Sequence, residues 1–189
     1  MWGDVMILYV VRHGETKYNK SGIYNGRIDE DISDNGIMQA EKLREEMYNV
    51  LYDKVYCSPM IRAKHTCDII NVKGIKPIYD DRLIERTLGK MDGHDIVQNG
   101  FSLYDFYNYY YKSDDPMFED FPTLFKRVHN FLDEIIKEND SDSNILIVAH
   151  GGILRAIYFY FNTIPSDGNL ASVYPKSANC ELIKYEINK

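Results

Sequence analysis

The stretch Val5-Met6-Ile7-Leu8-Tyr9-Val10-Val11-Arg12-His13-Gly14 decides the fold. Its continuous apolar run fits a strand buried on both faces, the habit of a parallel sheet, and it stops abruptly at a cation, a histidine and a glycine. A second run of the same kind, Ile145-Leu146-Ile147-Val148-Ala149, stops at His150-Gly151-Gly152. Ligands of open α/β sheets gather outside the carboxyl ends of the strands. Two histidines at matching strand ends, each followed by a residue that lets backbone approach a ligand, therefore mark one site.

Helical patterns lie outward from these runs. Ile37, Ala40, Leu43, Met47, Val50 and Leu51 predict an amphipathic helix over about 34–51, and Leu124, Val128, Phe131, Leu132, Ile135 and Ile136 another over 123–138. Lys54 to Cys57 reads as a strand, and Ser58-Pro59 as a helix start with Ser58 as N-cap. Ile75 to Tyr79 reads as a third strand, a helix is expected from about Ile153, and Glu181 to Ile187 reads as the last strand. Strands alternating with helices predict a three-layer α/β/α sandwich around a mostly parallel central sheet.

With 189 residues, one domain over 1–189 is expected. Lys plus Arg is 22 and Asp plus Glu 29, a formal charge of −7, which argues against a nucleic-acid or anionic-membrane binder. Cys57, Cys67 and Cys180 form no CxxC pair, so neither a disulfide framework nor a zinc knuckle is expected. No apolar run approaches the ~20 residues of a membrane span, and no signal peptide is evident. A cytoplasmic protein is the expectation, and its tyrosine-rich surface is compatible with a homodimer.

Arg12 supplies a permanent cation whose planar fork suits phosphate oxygens. Arg62 follows the second strand and Glu85 the third, at the same sheet edge as His13. Together these residues make a phosphoryl-transfer kit: a nucleophile, cationic clamps and a proton donor. Arg12-His13-Gly14-Glu15-Thr16 with Asn19, then Asn25-Gly26-Arg27, Ser58-Pro59-x-x-Arg62-Ala63-x-x-Thr66, Leu83-x-Glu85 and Ala149-His150-Gly151 follow one another in that order. In motif and order the chain resembles the histidine phosphatase superfamily, which includes phosphoglycerate mutases and many small-metabolite phosphatases.

The resemblance implies a phosphoglycerate mutase-like fold and a phosphoric monoester hydrolase of the histidine acid phosphatase type. It implies attack by His13 on phosphorus, a phosphohistidine intermediate, and Glu85 as proton donor. Arg12, Arg62 and His150 would act with them, and Asn19, Asn25, Gly26 and Gly151 would join these three in binding a small phosphorylated metabolite. No cofactor and no metal is implied, and metal-ligand signatures such as HExxH are absent from the sequence. A cysteine phosphatase needs Cys-x5-Arg, whereas Cys57 and Arg62 are one residue too close. A non-catalytic phosphate-binding module would lack a catalytic residue, yet every expected position is filled.

Residues 92–120 form an insert individual to this chain, with seven acids against Lys112 and eight aromatic residues. Phe101, Tyr104, Tyr107 and Tyr111 fall at helical spacing, as in an amphipathic helix packed on the sheet or lidding the pocket. A mutase must hold a doubly anionic substrate and needs extra basic residues over the pocket. The insert offers one lysine, so a phosphatase is expected over phosphoglycerate mutase-type transfer, with a leaving group that is flat or uncharged.

Overall fold

The computed structural model describes residues 5–95, 97, 100–174 and 177–188. The chain runs β1 (Val5–Arg12), α1 (Lys17–Lys20), α2 (Asp34–Met47), β2 (Lys54–Cys57), α3 (Ile61–Ile70), β3 (Ile78–Tyr79), α4 (Leu103–Phe106), α5 (Phe121–Glu138), β4 (Asn144–Ala149), α6 (Gly151–Phe161) and β5 (Leu182–Asn188). The strands form one sheet in the order β3-β2-β4-β1-β5. All neighbours are parallel except β5, which runs antiparallel to β1.

Alternation along the strands builds two cores. Met6, Leu8, Val10, Ile145 and Ile147 face α5 and α6, whereas Val11, Val55, Cys57, Leu146 and Val148 face α2 and α3. Each fully buried aliphatic side chain contributes roughly 1.5–3 kcal/mol, and both faces of β4 are filled this way. The three-layer architecture follows from that double burial.

Three elements depart most from their predicted form. The third strand starts at Ile78 because Pro77 cannot donate to the ladder. The helix over 34–51 ends at Met47, where Asn49 and Val50 tighten onto the Glu46 and Met47 carbonyls and leave Leu51 exposed. Among its described residues the insert holds a single α-helical turn, not a stripe from Phe101 to Tyr111. Asn108 ends it: its Oδ1 accepts from the Tyr110 amide at 2.8 Å and its Nδ2 donates to the Asp167 carbonyl at 3.1 Å. Phe106, outside the predicted stripe, is the side chain this turn buries.

In the sheet register Arg12 pairs with Ala149, so β1 and β4 end side by side. The His13 amide donates to the Ala149 carbonyl at 3.0 Å, and the Ser58 amide to the Val148 carbonyl at 3.0 Å. Three chain segments thus leave the sheet at one edge.

Candidate active site

That shared edge brings the His13 and His150 rings to a centroid separation of 5.1 Å. His13 is 2% exposed, and its Nδ1 lies 2.7 Å from the Gly14 carbonyl. A carbonyl only accepts, so Nδ1 carries the proton and Nε2 keeps a free lone pair. Burial, followed by the Arg62 and Arg12 charges, holds the His13 imidazole well below its usual 6.5. The ring is neutral at physiological pH.

His150, fully buried at the N-terminus of α6, is held neutral by burial and by Arg62, His13 and Arg12. Its Nε2 meets the Ser58 hydroxyl at 2.7 Å, and its Nδ1 has no hydrogen-bond partner. Ser58 therefore serves this ring rather than capping α3. The cap position falls to Met60, and Asp29 accepts the first helical amide, that of Ile61, at 2.8 Å.

Arg12 and Arg62 are both buried with their Nε atoms unpartnered. Arg12 Nη1 donates to the Ser177 carbonyl at 2.7 Å, and the two terminal nitrogens of Arg62 donate to the Ile28 and Gly26 carbonyls at 2.8 Å each. Desolvation lowers both guanidiniums from their ordinary range, and nearby Glu85 opposes that shift. They remain cations, because arginine does not deprotonate in proteins. Thr66 couples this region to the nucleophile loop: its hydroxyl donates to the Arg62 carbonyl at 2.7 Å and accepts from the Gly14 amide at 2.9 Å.

Glu85 sits between two backbone donors. Its oxygens accept from the amide of Arg86 at 2.8 Å and that of Gly152, in the first turn of α6, at 3.2 Å. A Cβ on Gly152 would come within 2.4 Å of Glu85 Oε1, so glycine makes room for the carboxylate.

A cavity of about 310 Å³ opens above this floor. Arg12, Asn19, Tyr24, Glu85, Phe106, Tyr107, Phe121, Gly151 and Gly152 are among the residues that line it. Of the sequence-predicted site residues, His13, Arg62, His150, Asn25 and Gly26 are not among those that line it. The Asn25 side chain is engaged by Thr16, Asn19 and Glu30, and Gly26 receives Arg62 on its carbonyl.

Two cationic wall residues escaped the sequence reading, Arg86 and Arg155. Arg155 interrupts the apolar helix Ile153-Leu154-Arg155-Ala156-Ile157, a signal that could have exposed it. The insert's acids are largely engaged in holding the chain. Asp92 accepts from Leu88, Arg27 and Thr87, Asp115 from Lys90 and Met117, Glu119 from Arg27 and Arg127, and Asp120 caps α5. Asp95 alone of the seven lines the cavity. Among the described residues, no group of three or more His, Cys, Asp or Glu side chains is placed to hold a metal ion.

The sequence pattern of the histidine phosphatase superfamily (branch 1) matches residues 8–189. The chain belongs to the histidine phosphatase superfamily. It is 31% identical to the metal-independent phosphoserine phosphatase of Arabidopsis thaliana, over 88% of this chain and 73% of that one. It is also 31% identical to phosphoserine phosphatase 1 of Hydrogenobacter thermophilus, over 80% and 74% of the two chains. A mycobacterial glucosyl-3-phosphoglycerate phosphatase superposes with a TM-score of 0.82 at 22% identity, over 95% of this chain and 89% of that one, which shows a shared fold.

Proposed function

We propose that this member of the family is a phosphoric monoester hydrolase acting on small phosphorylated metabolites. The observation that carries the reading is His13, neutral and buried, its Nδ1 proton given to Gly14 and its Nε2 lone pair free beside two arginines. Nε2 attacks phosphorus, the ester P–O bond breaks, and the Glu85 carboxyl gives its proton to the departing oxygen. Water then attacks the phosphohistidine, loses a proton to the Glu85 carboxylate, and phosphate leaves with His13 restored.

Charge on the equatorial oxygens is met by Arg12, Arg62 and His150, donors fixed before the substrate arrives. For His150 to donate from Nδ1, its Nε2 must accept, so the Ser58 hydroxyl is the donor in their 2.7 Å bond. Asn19 and Gly151 lie on the cavity wall and meet the substrate. Asn25 and Gly26 act one step back, holding Asn19 and Arg62.

His13→Ala is expected to lose hydrolysis of p-nitrophenyl phosphate by several orders of magnitude with an unchanged circular dichroism spectrum. Wild-type activity is expected to survive EDTA. A variant retaining near wild-type turnover overturns the nucleophile, and EDTA loss reversed by a divalent ion overturns the metal-free reaction.

A further inference from the structure

Four arginines approach the site, twice what the phosphoryl clamp uses. Arg12 and Arg62 flank the histidines, whereas Arg86 and Arg155 stand on the cavity wall, 2% and 4% exposed. Arg86 stacks over the Phe121 ring at 3.9 Å and also faces Phe106 and Phe118. Arg155 stacks over Tyr107 at 4.4 Å. Aromatic faces fix the guanidinium planes and confine their hydrogen bonding to the edges. Arg86 donates to the Phe106 carbonyl at 3.2 Å and Arg155 to the Tyr174 carbonyl at 2.8 Å.

No carboxylate among the described residues lies within ion-pair distance of Arg86. Burial lowers Arg155, and the like charge of Arg86 lowers it further. Glu85, on the same cavity, opposes the effect of burial at both guanidiniums, and two arginines against this carboxylate leave the wall suited to a further anion. The expectation of a flat or uncharged leaving group was drawn from the insert's composition, and neither arginine belongs to the insert.

We propose that Arg86 and Arg155 form a second anion subsite for a carboxylate on the leaving group, so that the substrate is a phosphorylated small hydroxy acid. The proposal rests on the phosphomonoesterase reading above. A planar carboxylate matches the edge of a stacked guanidinium, and a cavity of about 310 Å³ admits a few carbons beyond the phosphoryl group.

The test compares O-phospho-L-serine with O-phosphoethanolamine, which share the phosphate and the ammonium and differ by the carboxylate. The wild-type chain is expected to favour phosphoserine in kcat/KM by about tenfold to hundredfold, the worth of a charge-assisted hydrogen bond. Arg155→Met and Arg155→Lys, the latter keeping the charge without the planar fork, are expected to shrink that ratio, as is Arg86→Gln. A folding defect lowers both substrates together and leaves the ratio standing. Equal wild-type kcat/KM for the pair overturns the subsite while hydrolysis of p-nitrophenyl phosphate keeps the phosphatase reading intact. A wild-type preference that all three variants retain overturns the assignment to these arginines. Absence of p-nitrophenyl phosphate hydrolysis overturns the phosphatase reading, and the subsite falls with it.

Discussion

His13 and His150 are buried without protons to spare, and this ties stability to pH. Both imidazoles are lowered in the native state by burial first and by neighbouring arginines next. The unfolded chain binds protons at an ordinary histidine pKa of about 6.5, so below that pH it gains protons that the native state refuses. The sign is therefore loss of stability on acidification. Each histidine costs about 1.4 kcal/mol per pH unit below about 6.5, until the lower native pKa is reached. Denaturant midpoints are expected to fall between pH 7 and 5. In NMR spectra, the His13 and His150 ring resonances are expected to stay flat over the same range. Titration of His13 near 6.5 refutes the neutral, buried nucleophile.

At the scale of elements, the first turn of α6 meets the acid loop at a place with room for no side chain. Gly152→Ala inserts a methyl where Glu85 Oε1 lies, yet alanine exceeds glycine in helix propensity by about 1 kcal/mol. The clash falls on the far end of a flexible side chain, so Glu85 moves and the helix gains. Gly152→Ala is expected to hold or raise Tm while kcat falls at least tenfold, read by calorimetry and p-nitrophenyl phosphate turnover. A parallel loss of both quantities means that the helix, not the carboxylate, was displaced. Sequence alone exposed β1 and β4, because continuous apolar runs admit few other readings, and with them the paired histidines. The insert was harder to read. Its helical spacing was present, but Asn108 diverts the backbone through side-chain bonds to nearby Tyr110 and to Asp167, far along the chain. Arg86 was hidden differently, beside a glutamate that drew attention, since its stacking on Phe121 exists only in three dimensions.

Across the whole molecule, charge is segregated. The chain carries −7, yet the cavity presents Arg12, Arg86 and Arg155 against Glu85 and Asp95. A phosphomonoester approaching from far away meets net repulsion, and within about one Debye length it meets attraction. If the local field governs capture, kcat/KM falls as NaCl is raised from low to physiological ionic strength. A rise with salt means that the global charge controls the encounter. The nucleophile end of β1 is also gripped from the far end of the sequence. Arg12 donates to the Ser177 carbonyl, the Cys180 amide donates to the Arg12 carbonyl at 2.9 Å, and the Asn179 side chain donates to the His13 carbonyl at 2.7 Å. During synthesis, residues 12 and 13 emerge long before these partners do. A ribosome-bound nascent chain stalled before residue 177 therefore lacks the clasp that sets the nucleophile, and catalytic competence arrives only with the last strand.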